Sequence, residues 1–158
     1  MTEPVVEPRR FVHQVALRWS DLDAYGHLNN SRFLTLYEEA RVALICMAGQ
    51  EAGADSFADG MVIRRNEVDY LRPVGYDFGQ FATGAPPSVR IELWIEELRP
   101  SRVTLAYELY SGDVLASRAR SVLVPFDLRS QSPRRLTERE WQFMTPYAPP
   151  QLISGAQA

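Results

Sequence analysis

The chain predicts an α+β fold: a curved, largely antiparallel sheet of about five to six strands wrapped around one long central helix, with a short helix towards the C-terminus. Three observations carry this. One long apolar helical stretch runs from Phe33 to Ala48. A train of strand-like segments follows from Met61, broken by Pro- and Gly-containing turns. Finally, Thr137-Glu-Arg-Glu140 has capping-box spacing just before Trp141, which suits a short helix start.

Phe11 to Arg18 alternates apolar and polar residues and opens the sheet. An Asp-, Gly- and Asn-rich turn leads into the helix. There Phe33, Leu34, Leu36, Tyr37, Ala40, Ala43, Leu44, Ile45 and Met47 occupy most of the circumference, leaving Arg32, Thr35, Glu38, Glu39 and Arg41 as polar positions. A helix this apolar is expected to be wrapped by a sheet, not laid on a surface. Glu38 and Arg41, spaced i,i+3, fit an intrahelical ion pair; the alternative is a Glu38 that faces an active site in a dimer. Strands are expected near Met61 to Leu71, Phe78 to Thr83, Ser88 to Leu98, Arg102 to Ser111 and Val114 to Phe126. Ser111-Gly-Asp113 is the clearest hairpin turn. The first nine residues and the tail 146–158 are expected to be loose, leaving a single domain over 10–145. There is no internal repeat.

Composition narrows the function. At 158 residues, with 46% apolar and 23% charged residues, the chain can build one sizeable core. No run of eighteen apolar residues exists, and the N-terminus lacks the basic-then-apolar order of a signal peptide, so a cytoplasmic protein without membrane association is expected. Cys46 is the sole cysteine, which excludes an intramolecular disulfide and any CxxC zinc or redox motif; it reads as a packing residue, or as partly exposed and inert, rather than a nucleophile. All 17 basic residues are arginine, so no Schiff base, PLP anchor or P-loop lysine can form. A net charge of −3 without a basic block argues against nucleic acid. Small molecules and copies of the chain itself are the expected partners.

The densest chemistry lies in Arg18-Trp-Ser-Asp21-Leu-Asp23-Ala-Tyr-Gly26-His27-Leu-Asn29-Asn30, where two carboxylates, an imidazole and two carboxamides meet a helix N-terminus. Asp21 suits a structural turn role better than a catalytic one. Asn29 or Asn30 fits an ordinary N-cap, a ligand contact, or both. His13, on the first strand, is expected to be exposed. The two histidines without cysteine partners make no zinc site, and no Gly-x-Ser-x-Gly elbow is present.

The order of elements, the stretch WSDLDAYGHLNNSRFLTLYEEAR and the weaker echo Val68-Asp-Tyr-Leu-Arg-Pro-Val74 resemble the 4-hydroxybenzoyl-CoA thioesterase family of hot-dog-fold acyl-CoA thioesterases, over roughly Phe11 to Tyr147. The resemblance implies hydrolysis of an acyl-CoA without metal or redox cofactor, and its catalytic carboxylate maps onto Asp23. The His-x-Asn-Asn portion also resembles plant-type acyl-ACP thioesterases, so the carrier is CoA or a protein-bound pantetheine.

The residues make chemical sense of that implication. A thioester carbonyl needs polarisation, which free N–H groups at a helix start supply, Asn30 first among them. A carboxylate opposite the carbonyl, Asp23, can attack it or take a proton from water, and a thiolate leaves readily. Gly26 permits a sharp turn and close approach of a ligand. His27 is expected near the carbonyl or bracing the loop, and Gly26, His27, Asn29 and Asn30 together form the expected substrate-binding group. Related enzymes often hold the CoA nucleotide where the turn Arg99-Pro-Ser101-Arg102 lies; paired arginines suit phosphates, or equally a charged hairpin tip that blocks aggregation. Tyr25 and Tyr37 fit an aromatic pocket or the core. An acyl-CoA thioesterase is thus expected, with an acyl-ACP thioesterase or a non-catalytic acyl-CoA-binding domain as alternatives. Related proteins join two such sheets edge to edge, so a homodimer or homotetramer is expected.

Overall fold

The computed structural model describes residues 6–153. Strand β1 (Phe11–Ala16) leads through a 3-10 turn (Trp19–Asp21) and the polar loop into α1 (Asn30–Val42). The helical path continues through π-helical turns (Ala43–Ala48) and a single turn α2 (Gly49–Glu51). Then come β2 (Met61–Tyr70), β3 (Ser88–Arg99), β4 (Arg102–Ser111), β5 (Val114–Asp127), a short β6 (Ser132–Pro133) and α3 (Glu138–Met144). The strands pair antiparallel in the order β1-β3-β4-β5-β2, with β6 on β5. This is the hot-dog arrangement expected from the sequence.

Alternation explains the core. On β3, Val89, Ile91, Leu93 and Ile95 point inward, and a bulge between Ile95 and Glu97 returns Leu98 to the same face. They meet Phe33, Leu36, Tyr37, Ala40 and Leu44 from the helix, with Leu105, Tyr107 and Leu109 from β4. The hairpin at Ser111–Val114 closes on Gly112, whose φ of 60° suits a two-residue loop. Among the described residues, no helix is long and apolar enough to cross a membrane.

The structure corrects several expectations. Phe78–Thr83 is a 3-10 helix, not a strand. Asp77 caps it by accepting from Gly79 N–H at 2.8 Å, Gly84 closes it at φ 79°, and Tyr76 packs on both Phe78 and Phe81, so the apolar residues cluster on one side of a coil. The helix is wrapped on one side only, for Leu34, Val42 and Met47 stay exposed. Cys46 takes the exposed one of its two expected placements. His13 is half-buried, stacked beside Phe11. The C-terminal segment is packed as far as Ile153: Tyr147 and Ala148 are buried, Pro146 accepts from Arg9 N–H at 3.0 Å, and Ile153 bridges to Leu98. The expected looseness of residues 1–5 and 154–158 lies outside the described residues. Glu38 and Arg41 do form the intrahelical pair, at 3.5 Å.

Candidate active site

The polar loop is held at both ends by Asp21, which is buried. Its carboxylate accepts from Arg18 N–H at 2.8 Å and faces the guanidinium groups of Arg18 and Arg32 at 3.5 and 3.8 Å, while its carbonyl accepts from Asn29 N–H at 2.9 Å. Between these anchors the chain doubles back. Asp23 N–H donates to the His27 carbonyl at 2.7 Å, Gly26 N–H donates to the Asp23 carbonyl, and Gly26 sits at φ 76°, where a side chain would be strained. Asp23 Oδ1 accepts from Tyr25 N–H at 2.8 Å and from His27 N–H at 3.1 Å. Among the described residues, no hydrogen bond or ion pair engages Asp23 Oδ2. One oxygen of the carboxylate thus builds the loop and the other stays available.

Asn29 is the N-cap of α1, and its Oδ1 accepts from Ser31 N–H at 3.0 Å and from the Ser31 hydroxyl at 2.9 Å. Its side chain is therefore committed to the helix. Asn30 follows as the first helical residue, whose N–H has no acceptor within the helix. The loop is docked on the segment after β2: Leu28 N–H donates to the Val74 carbonyl at 2.7 Å, and His27 bridges to Gly75.

These connections assemble a cavity of about 250 Å³. Asp23, His27 and Asn30 line it from the loop and helix, and Tyr70, Leu71, Arg72 and Pro73 from the end of β2. Phe33 packs edge-on to Tyr70 with ring centroids 5.1 Å apart, and the Tyr70 hydroxyl donates to the Asn30 carbonyl at 3.0 Å. A carboxylate oxygen, a helix N-terminus and a cation thus face one small space. Such a set can polarise a carbonyl and deliver a nucleophile or base to it. Sequence reasoning quoted Tyr70 and Arg72 only as part of a strand echo. Their position beside the motif depends on the His27–Gly75 bridge, which no local pattern announces.

The remaining expected residues lie elsewhere. Tyr25 is exposed at the loop tip and Tyr37 is in the core. Arg99, Ser101 and Arg102 form the β3–β4 turn, where both guanidinium groups hold Glu97, at 2.8 Å from Arg99 Nε and 2.8 Å from Arg102. Burial nudges the Glu97 carboxyl up, but these two hydrogen bonds outweigh it and hold it below the usual range. Ser88, at the other end of β3, pairs with Ala16 next to the polar loop. The strand registers set Tyr70 level with Ile91, so the arginine turn lies about 26 Å from the cavity along the strands within one chain.

Comparison with known proteins agrees with this fold. A search of the curated proteins finds no match. A predicted thioesterase from Bacillus stearothermophilus superposes with a TM-score of 0.72 at 24% identity, over 89% of this chain and 97% of that one. The PA5185 protein of Pseudomonas aeruginosa gives 0.73 at 20% identity, over 89% and 92%. Both share the fold. A thioesterase from Thermus thermophilus, solved in complex with coenzyme A and Zn, gives 0.65 at 25% identity, over 84% and 90%. The family model of the thioesterase-like superfamily matches residues 17–150, from the end of β1 through the polar loop and past α3, and the chain belongs to that superfamily.

Proposed function

We propose that the protein is an acyl-CoA thioesterase of the 4-hydroxybenzoyl-CoA thioesterase type, which hydrolyses a CoA thioester to the free acid and CoA with Asp23 as its catalytic carboxylate. The observation that carries this is an Asp23 carboxylate with one unengaged oxygen, lining the same cavity as the start of α1. With the thioester carbonyl oxygen at the Asn30 N–H, the helix dipole and that N–H stabilise the oxyanion. Asp23 then attacks the carbonyl carbon, expelling the thiolate and leaving an anhydride for water to open. Alternatively it takes a proton from the water that attacks. Either way one water is consumed and the thiol leaves with a proton. Gly26 and His27 hold the carboxylate loop against the cavity, Asn29 sets the helix start, and no cofactor is needed for this chemistry.

CoA is favoured as carrier because a neighbour of the same fold was solved with coenzyme A, and because Arg72 stands at the cavity without a carboxylate partner among the described residues. Strand β2 is an edge of the sheet, ten residues long and largely exposed, which suits pairing with a second copy. A two-fold antiparallel β2–β2 junction would bring the second copy's Arg99–Arg102 turn to the cavity's end of the joint sheet, three strands or roughly 15 Å across. The homodimer reading thus gives that turn a way to reach CoA phosphates that one chain lacks. A panel of acyl-CoA substrates assayed with a thiol reagent tests the function. Release of CoA that Asp23→Asn abolishes is expected; no release from any acyl-CoA by the folded protein refutes it.

A further inference from the structure

A second cavity lies beyond the one at Asn30, along the same helix. Asn30 and Phe33 of α1 and Tyr70 of β2 line its first length; Leu34, Tyr37 and Arg41 of α1, with Val68 and Asn66 of β2, line a second cavity of about 190 Å³. The same helix and the same strand thus wall both in succession, with the Phe33–Tyr70 contact at their junction, and the two cavities mark a groove between α1 and β2. Asn30 and Arg41 are eleven residues apart, about 16 Å along the helix axis.

Leu34 and Val68 give the second cavity an apolar wall, and Thr35, Glu38, Arg41, Asn66 and Arg120 give it a polar one. The Arg41 side chain is only 12% exposed, yet its sole carboxylate partner among the described residues is Glu38, long at 3.5 Å and largely in solvent. Its other recorded hydrogen bond goes to the Tyr107 hydroxyl at 3.3 Å, so several of its five N–H donors are free. Asn66 Oδ1 accepts from the Ser121 hydroxyl at 2.7 Å, which fixes the amide and leaves its NH2 without an acceptor among the described residues. The buried Tyr37 hydroxyl in the same wall makes no hydrogen bond. A cation only 12% exposed and a buried hydroxyl, both incompletely matched, are costly unless something completes them. The Asn66 amide is exposed and solvated, and it can donate to the same acceptor. All that is missing is an acceptor.

We propose that this groove receives the acyl group, and that the group carries a hydrogen-bond-accepting oxygen at the end remote from the thioester, bound by Arg41 and the Asn66 amide. This rests on the thioesterase reading above and adds the substrate class. A terminal hydroxyl and a terminal carboxylate both offer that oxygen, and the experiment separates them. The kcat/KM values for decanoyl-CoA, ω-hydroxydecanoyl-CoA and the decanedioyl monothioester of CoA are compared in the wild type, Arg41→Leu and Asn66→Leu. At least one oxygenated thioester is expected to exceed decanoyl-CoA tenfold or more, with the ratio falling to within about threefold of one in Arg41→Leu. A carboxylate preference would be lost mainly in Arg41→Leu, a hydroxyl preference in both. Decanoyl-CoA as the best substrate, or a preference that survives both substitutions, overturns the proposal. Calorimetric Kd values for the non-hydrolysable thioether analogues read the same ratio without turnover. Selective binding with no hydrolysis would sink the enzyme assignment and keep the groove; equal binding of all analogues would sink the groove and keep the enzyme.

Discussion

Asp23→Asn is the sharpest perturbation of the site, because the two oxygens of that carboxylate do different work. Oδ1 holds the loop through Tyr25 N–H and His27 N–H, and an amide oxygen can accept the same two bonds. Turning charged acceptance into neutral acceptance there costs about 1 kcal/mol. In a chain of 158 residues that is roughly 2–4 °C in Tm, so the variant stays folded. Oδ2 becomes an NH2 that can neither attack a carbonyl nor take a proton. Losing a positioned group of this kind lowers kcat by about a hundredfold to ten-thousandfold, equivalent to about 2.7–5.4 kcal/mol of barrier. The helix start is untouched, so weak residual turnover remains. Thiol release from the best acyl-CoA, measured beside thermal melts of both proteins, separates chemistry from stability. A folded Asp23→Asn enzyme within about fivefold of wild type would refute the carboxylate's role. Asp21→Asn should show the reverse pattern, with a lowered Tm and a far smaller change in kcat, since Asp21 is buried against Arg18 and Arg32 as a brace.

Three further outcomes are expected. Burial pushes the Glu140 carboxyl up, but bonds from Arg134, the Thr137 amide and Ser56 hold it below the usual range; its stabilisation is present above the unfolded value near 4.5 and lost as pH falls through the folded one. Melting temperature should thus drop on the acid side, and Glu140→Gln, which strands the Arg134 charge, should cost about 3 kcal/mol at neutral pH and flatten that acid limb; an unchanged acid limb would remove Glu140 as the cause. Replacing Arg99 and Arg102 together with alanine should raise KM for acyl-CoA, spare the rate on a short pantetheine thioester and weaken the salt dependence of KM; equal losses on both substrates would make the turn a support of the fold. Light scattering should give at least twice the 18.0 kDa protomer mass, and a fully active monomer at micromolar concentration would contradict the edge-to-edge pairing.

What the sequence determined by itself is local. The alternation of Val89, Ile91, Leu93 and Ile95, the capping box at Thr137–Glu140, the hairpin at Gly112 and the apolar face of α1 are all written within a few residues of where they act, since period, cap and turn chemistry are short-range. The Asp23 turn closing on Gly26 belongs to the same class. Phe78–Thr83 is the exception, a coil set by its neighbours Tyr76 and Asp77, whose cap the apolar strand-like composition hides. Tertiary structure decided everything that depends on distant partners. The tail after Pro146 looks loose in its composition, yet it is pinned by Arg9 and by Leu98, more than 50 residues away in the chain. Above all, the strand order β1-β3-β4-β5-β2 sets Tyr70 and Arg72 beside Asp23 and carries Arg99 and Arg102 to the opposite end of the sheet. Strand periodicity says which face a residue takes but not which strand lies next to it, because pairing is settled by the burial of the whole sheet against the helix.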